Sequence, residues 1–298
     1  MPSPSEARAA TSGVVVRVDP RYNLQRTLEC GQVFRWSIQD GTAVGVFRDR
    51  LWTVRQEVGR LRALGPSSGT DLAPLWRHLG VEAPISRSEE TLSADRILRR
   101  ALVHTSGIAL MRQDPWECLA SYVISAFNNI PKISRSIEAL ARRFGTPLGN
   151  GHHAFPPPQR LAEARLAALR ACILGYRAPY LRALARAVAD GDVDLAGLGR
   201  TPYEEARGAL LALPGVGEKV AECVLLFALG HGEAFPVDVW VQRVVQALYL
   251  RGRRATPRTI RAWARDRFGP LAGYANQHLF YAARTGALTL SDFSARVP

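Results

Sequence analysis

The amino-acid sequence predicts an α+β protein in which an antiparallel sheet comes first and a larger helical part follows. Runs of β-branched and aromatic residues, separated by turn residues, fill residues 13–63, a pattern typical of strands. From about Ser88 onward, apolar residues recur at helical spacing. We therefore expect a flexible N-terminus over residues 1–12, a β-rich domain over 13–87 and a helical domain over 88–298.

Four runs in the first part are expected to be strands. Turn residues at Asp40-Gly41 and Arg48–Arg50 separate the later runs, which favours an antiparallel meander. Gly65–Gly69 is expected to be a loop. The four runs are Val14–Val16, Gln32–Trp36, Ala43–Phe47 and Leu51–Val54.

The second part shows two clear helical patterns and one break. The segment Gly149–Pro158 contains three consecutive prolines and predicts a linker between helical segments. The residues at helical spacing are Leu161, Leu166, Leu169 and Ile173, followed by Leu181, Leu184 and Val188.

The charge balance points to a polyanionic partner. The 298 residues carry a formal net charge of +13, and a basic surface of this kind is typical of proteins that bind nucleic acid. A genome that encodes many arginines is the alternative explanation, since net charge alone does not identify a partner. Only Lys132 and Lys219 are lysines. Because arginine stays protonated whereas a desolvated lysine can lose its proton and attack carbon, a retained lysine is a candidate nucleophile.

Several other classes of protein do not fit the sequence. The four cysteines (Cys30, Cys118, Cys172 and Cys223) lie far apart, which argues against a zinc site, an iron–sulfur cluster or a disulfide scaffold. No apolar run reaches the ~18 residues of a membrane span, and the N-terminus lacks the apolar core of a signal peptide. We therefore expect a soluble intracellular protein without a metal centre.

The most informative segment is Leu213–Cys223, Leu-Pro-Gly-Val-Gly-Glu-Lys-Val-Ala-Glu-Cys. Residues 203–212 and 218–229 predict two helices joined by a tight turn. Gly215 and Gly217 in that turn leave backbone N–H groups bare at a helix N-terminus, a geometry suited to a DNA phosphate. An ordinary structural helical hairpin is the alternative.

Lys219 and Asp238 are the candidate catalytic residues. Lys219 falls in the first turn of the second helix, where the positive helix end and any nearby cation favour the neutral, nucleophilic amine. Asp238 follows Phe235-Pro-Val and precedes an apolar-periodic run, so we expect it to cap a helix. A carboxylate near the lysine can also stabilise positive charge on a sugar as a base departs.

These motifs together resemble the helix-hairpin-helix glycosylase superfamily and, within it, the 8-oxoguanine DNA glycosylase/AP-lyase family. The matching segments extend from about residue 13 to 285 and occur in the same order as in the family. It implies an N-terminal antiparallel sheet followed by a helix-hairpin-helix domain in two helical lobes. It also implies base excision repair, in which oxidised guanine is flipped from duplex DNA and excised, and the strand is cleaved by β-elimination. The other matching segments are Gly31–Trp36, Arg112–Leu119, Asn128–Ile130, Leu174–Ala178 and Gly269–Gly273.

The resemblance assigns roles to the candidate residues. Lys219 attacks C1′ of the damaged nucleotide and forms a Schiff base, while Asp238 stabilises the developing charge. Gly31 matches a glycine whose carbonyl accepts the N7 hydrogen of oxidised guanine. Cys223 and Phe280 match the residues on either side of the flipped base.

One base contact and several DNA contacts are also implied. Asn276 stands where the family uses the longer Gln to read the base edge, and Gln277 next to it faces about 100° away. Tyr176 with Arg177 matches the pair that fills the gap in the stack and hydrogen-bonds the opposite base. The full set of expected DNA contacts is Asn128, Lys132, Tyr176, Arg177, Gly215 and Gly217.

The side that faces the opposite base departs from the family pattern. Phe127 stands in place of an asparagine, and Lys132 in place of an arginine, that contact the opposite cytosine. Trp240 stands where a family member carries histidine. Because Phe127 cannot hydrogen-bond and Lys132 offers a point charge instead of a planar fork, we expect tolerance of other opposite bases.

Three other functions fit the sequence less well. A monofunctional alkylbase glycosylase lacks the lysine, a non-enzymatic hairpin protein needs neither Lys219 nor Asp238, and an iron–sulfur endonuclease of this fold needs four closely spaced C-terminal cysteines. No cofactor is expected beyond a monovalent or divalent cation that the hairpin backbone can bind. The expected partner is double-stranded DNA containing oxidised guanine, bound by a monomer in the cytoplasm or nucleoid of a bacterium or in a eukaryotic nucleus.

Overall fold

The computed structural model describes residues 13–64 and 70–288. A five-stranded antiparallel sheet is followed by a mostly helical part, which confirms the predicted α+β class. The segment 1–12, predicted to be flexible, and the predicted loop Gly65–Gly69 lie outside the described residues, as do residues 289–298.

The N-terminal sheet is a meander with one additional strand. Its strands are β1 (Gly13–Arg17), β2 (Trp36–Gln39), β3 (Thr42–Phe47), β4 (Arg50–Glu57) and β5 (Arg60–Leu64). The order is β1-β5-β4-β3-β2, so β2 to β5 form an antiparallel meander and the first strand pairs with the last. A meander was predicted, but without a strand at Arg60–Leu64. Three short helices, α1 (Leu24–Glu29), α2 (Ala73–His78) and α3 (Ile85–Leu92), accompany the sheet. Apolar residues of the sheet, including Phe47, Trp52 and Val54, share one core with Leu75 of α2 and Ile85 of α3.

The predicted strand Gln32–Trp36 is wrong except for its last residue. Gln32 is fully buried, and its side-chain amide donates to the carbonyls of Thr27 and Ala109, at 2.9 and 2.8 Å. Its backbone carbonyl accepts from the hydroxyl of Tyr122 at 3.0 Å. Because hydrogen bonds across the interface with the helical part satisfy these polar groups, residues 32–35 remain irregular chain.

Helices also begin earlier than the sequence predicts. Helices α1 and α2 lie before Ser88, and the expected boundary at residue 88 falls inside α3. The predicted linker Gly149–Pro158 is partly a small hairpin of two strands, β6 (Pro147–Gly149) and β7 (His152–His153). Propensity alone underestimates such short elements because neighbouring packing stabilises them.

The helical part forms two lobes around separate cores. The first lobe packs around residues 110–234 and the second around residues 92–102 and 235–288. The second lobe therefore consists of two segments of the chain, and the first lobe lies between them in sequence. The main helices of the first lobe are α5 (Pro115–Ser125), α6 (Ile130–Phe144), α7 (Pro158–Ala162), α8 (Leu166–Leu169), α9 (Arg177–Ala189), α10 (Tyr203–Leu211) and α11 (Glu218–Val224). Those of the second are α4 (Arg96–Thr105), α12 (Val239–Val244), α13 (Pro257–Phe268) and α14 (Ala272–Arg284).

Side chains fix where several of these helices begin. Asp95, Asp114, Asn129, Asp238 and Thr256 each accept a hydrogen bond from a backbone N–H in the first turn of the following helix. Such caps satisfy donors that have no partner within the helix. Within the described ranges, every helix is too short or too polar to cross a membrane.

Candidate active site

The hairpin between α10 and α11 is tight because one of its glycines permits a close approach. The observed helices, Tyr203–Leu211 and Glu218–Val224, agree with the predicted pair, and a π-helical turn over Leu225–Leu229 completes the second. Gly215 has φ +76°, and a Cβ there would lie 2.9 Å from the Cβ of Tyr180. Gly217 caps α11 with φ −95° and has open space beside it. The fold therefore requires glycine at 215, whereas at 217 glycine leaves the helix N-terminus uncovered.

Lys219 lies in the first turn of α11 and points toward the end of α5. Its Nζ donates to the Oγ of Ser125 at 3.1 Å and lies 4.7 Å from the ring centre of Tyr122. The side chain is half-buried. A hydroxyl and an aromatic face thus hold the amine in place.

Asp238 caps α12, as the sequence predicts. One carboxylate oxygen accepts from the backbone N–H of Val241 at 2.8 Å. Burial raises the pKa of Asp238, while backbone N–H donors and the positive charge of Lys219 act in the opposite direction. The carboxylate is therefore poorly hydrated and close enough to the lysine to interact with its charge.

Both residues line one small cavity between the two lobes. Its volume is about 50 Å³, enough for a few water molecules and too small for a purine without movement of the walls. The six predicted catalytic and base-pocket residues all lie in its lining, which also contains five residues that were not predicted to line the site. The lining consists of Gly31, Tyr122, Lys219, Cys223, Phe227, Pro236, Asp238, Val241, Asn276, Gln277 and Phe280.

Gly31 and Phe280 meet at one wall of the cavity. Gly31 has φ +92°, and a Cβ at this position would lie 3.1 Å from Cε1 of Phe280 and 3.3 Å from Cδ1 of Ile130. A side chain at residue 31 would therefore be strained in its backbone and would occupy space beside the ring.

Two amides of α14 hold neighbouring segments against the cavity. Asn276 donates to the carbonyl of Pro236 at 2.8 Å, and Gln277 donates to the carbonyl of Cys30 at 2.9 Å. Gln277 is expected to face about 100° away from Asn276, yet both side chains line the cavity. Asn276 thus fixes the loop that carries Asp238, and Gln277 fixes the turn that carries Gly31.

Cys223 contributes an apolar wall. It is fully buried, and burial raises the pKa of its thiol to about 12. The thiol is therefore neutral near pH 7 and a poor nucleophile. All four cysteines are free and buried.

The other predicted DNA contacts lie outside the cavity. The guanidinium of Arg177 donates to the carbonyls of Ala126 and Phe127, and its Cζ lies 4.4 Å from the ring centre of Tyr176. Tyr176 is exposed and Arg177 is buried, so this arginine does not face outward as expected for a base contact. Lys132 lies in the first turn of α6, and Asn128 lies in the loop just before that helix.

Larger clefts occur away from the lysine. One of about 610 Å³ is an open surface groove beside α12, with Arg243 and Arg254 among its lining residues. Another, of about 310 Å³, lies near Asp95 and Arg267, which form an ion pair. In the part of the chain that the structure describes, no three His, Cys, Asp or Glu side chains come together as metal ligands would.

The fold and the lysine–aspartate site define a class of helix-hairpin-helix base excision repair proteins. Residues 120–270 match the model of the HhH-GPD superfamily base excision DNA repair protein, and residues 15–119 match the 8-oxoguanine DNA glycosylase N-terminal domain. The chain therefore belongs to the 8-oxoguanine DNA glycosylase family, whose members are DNA N-glycosylases with lyase activity.

Proteins that are similar to this chain over most of its length support its membership in the family. The probable N-glycosylase/DNA lyase of Methanothermobacter thermautotrophicus is 36% identical over 66% of this chain and 70% of its own length. The N-glycosylase/DNA lyase OGG1 of Arabidopsis thaliana is 31% identical over 90% and 79%. Among solved structures, a Clostridium acetobutylicum 8-oxoguanine glycosylase/lyase bound to double-stranded DNA is 29% identical, with a TM-score of 0.88 over 93% of this chain and 97% of that one.

Proposed function

We propose that this protein excises 8-oxoguanine from duplex DNA and then cleaves the strand through a Schiff base on Lys219. The observation that carries the proposal is that the Lys219 amine and the Asp238 carboxylate line the same cavity, which Gly31 and Phe280 also bound. A nucleophile and a charge-stabilising carboxylate beside an aromatic wall are the groups that this chemistry requires.

The first chemical step replaces one bond at the sugar by another. The neutral amine of Lys219 attacks C1′ as the bond from C1′ to the base breaks, and the base leaves with the electron pair and takes up a proton. The poorly hydrated carboxylate of Asp238 stabilises the positive charge that develops on the sugar. The amine must be neutral to attack, since an ammonium group has no free electron pair.

The second step cleaves the strand. Opening of the sugar ring converts the C1′–nitrogen bond into an imine, and the ring oxygen takes up a proton. Loss of a proton from C2′ then expels the 3′ phosphate by β-elimination. Water hydrolyses the imine and restores the lysine.

The DNA contacts follow from the same proposal. The uncovered N-terminus at Gly217 suits a backbone phosphate, and the cation expected at this hairpin would serve the same contact. Flipping the nucleotide costs a few kcal/mol, and the cavity must widen to admit the base. We further propose that the protein acts as a monomer on DNA inside the cell.

Borohydride reduction tests the chemistry because it converts the imine into a stable covalent link. The wild-type protein should be trapped on a duplex containing 8-oxoguanine, and Lys219→Gln should abolish trapping while DNA affinity stays within several-fold. Lys132→Gln, the other lysine in the chain, should still be trapped at saturating DNA. Trapping of Lys219→Gln would instead assign the nucleophile to Lys132 or to the N-terminal amine.

A further inference from the structure

Phe127 is an aromatic residue displayed to solvent on the loop between α5 and α6. Its side chain is 97% exposed, although a phenyl ring gains from burial. Its backbone has φ +50°, a left-handed conformation that is unfavourable for residues with a Cβ. Strain of this kind persists where the surroundings enforce it and clusters at functional sites.

Arg177 enforces the conformation of this loop. Its Nε donates to the carbonyl of Ala126 at 2.8 Å, and its Nη2 donates to that of Phe127 at 2.9 Å. The hydroxyl of Tyr176 adds a third donor to Ala126 at 3.3 Å. Arg177 is only 6% exposed, so its guanidinium holds Phe127 outward instead of presenting its donors to DNA.

The loop lies beside the catalytic lysine. Ser125, which accepts the hydrogen bond from Lys219, precedes Phe127 by two residues, and two residues span at most about 7 Å. When a nucleotide rotates toward the lysine, the gap that it leaves in the stack is therefore within reach of the phenyl ring.

We propose that Phe127 stacks on the unpaired base opposite the lesion and so replaces hydrogen-bonded reading of that base. The inference rests on the proposed excision of a flipped nucleotide. A phenyl ring stacks on any base because every base has a π face, and it carries no donor or acceptor that distinguishes cytosine. Opposite-base tolerance then follows from a single side chain, with large purines held at least as well as cytosine.

The test removes the ring and, separately, the base that it would contact. Affinity is measured on duplexes with a non-cleavable abasic analogue opposite A, C, G, T or a second abasic spacer. Phe127→Ala should weaken binding about five- to a hundredfold when a base is present and have little effect opposite the spacer. Phe127→Trp should retain the affinity, because an indole ring also stacks. A 2-aminopurine opposite the analogue should be quenched by the wild type and not by Phe127→Ala.

Two controls distinguish failure of the stacking role of Phe127 from failure of the excision chemistry. Val103→Ala removes another exposed apolar side chain, 71% exposed on α4, and should leave every affinity unchanged. An equal loss on all duplexes, including the spacer, would overturn the stacking role, as would no loss on any of them. Failure of borohydride trapping in the wild type would instead refute the excision chemistry, whatever Phe127→Ala does.

Discussion

The carboxylate of Glu222 accepts a hydrogen bond from the backbone N–H of Phe235 at 2.9 Å. Glu222 lies on α11, three residues after Lys219, and Phe235 begins the loop that ends at Asp238. This one contact therefore joins the helix that carries Lys219, the proposed nucleophile, to the loop that carries Asp238. Glu222 is fully buried and also accepts from Tyr203 at 2.6 Å.

Glu222→Gln should destabilise the protein and slow base release. The substitution keeps the shape but turns one acceptor into a donor and leaves the partly buried Arg207 and the buried Arg261 without part of their counter-charge. Breaking a buried ion pair costs about 3–5 kcal/mol, and urea unfolding should give a loss toward the lower end, since Glu218 still pairs with both arginines.

Glu218→Gln is the matched control for that substitution. Glu218 contacts the same two arginines but is 50% exposed, so its loss should cost at most ~1 kcal/mol. Equal stability of the two variants would show that the buried carboxylate does not hold the two elements together. The rates of single-turnover base release in the two variants then show whether the alignment of Lys219 and Asp238 depends on the Glu222 carboxylate.

Asp238→Asn should lower the rate of base release by ~10²–10³ with little change in stability. Loss of the charge removes electrostatic stabilisation of the sugar, whereas Asn caps helices about as well as Asp. Asp114→Asn makes the same change at the cap of α5 and should leave base release near the wild-type rate. Comparable losses in both variants would attribute the effect to helix capping.

Acid should destabilise the protein because His78 is held neutral. Burial lowers the pKa of His78 to about 4, below the ordinary value of about 6.5, and the ring bonds the carbonyl of Arg112 and the indole of Trp36. The unfolded chain binds the proton first. The stability that the neutral His78 contributes is therefore fully present above about pH 6.5 and is lost as the pH falls toward 4.

The expected decrease in unfolding free energy is at most about 3 kcal/mol from His78, at about 1.4 kcal/mol per pKa unit. His278, whose pKa burial also lowers to about 4, acts in the same range. His78→Gln preserves a donor and an acceptor, and urea unfolding between pH 4 and 7 should show a shallower dependence. An unchanged slope would assign the acid sensitivity to other groups.

The hairpin that carries Lys219 was predictable from sequence because its signal is local. Gly215, Gly217 and Lys219 lie within five residues, and their positions on a turn and a helix end follow from short-range rules. Asp238 as a cap follows in the same way from its place before an apolar-periodic run. The meeting of the two residues in one cavity was expected only from the family resemblance.

Contacts that depend on tertiary packing were not predictable. Gln32 belongs to an apolar, aromatic-rich run that favours a strand, yet its buried hydrogen bonds override that propensity. Helical geometry places Gln277 about 100° from Asn276, yet Gln277 also lines the cavity and donates to the carbonyl of Cys30. Nothing in the sequence distinguishes the buried Glu222 from the exposed Glu218 four residues earlier.

Gly31→Ala should impair excision of 8-oxoguanine more than binding to an abasic-site analogue. The added methyl would meet Phe280 and Ile130 in the space that a flipped base must use, whereas an abasic site brings no base. The left-handed backbone also makes alanine unfavourable by about 1–2 kcal/mol. Gly191→Ala isolates this second effect, since Gly191 has φ +83° and open space around it. Both variants should lose similar stability in urea unfolding, but only Gly31→Ala should lose single-turnover excision. Equal losses of excision and abasic-site binding in Gly31→Ala would mean that the glycine serves only the backbone turn.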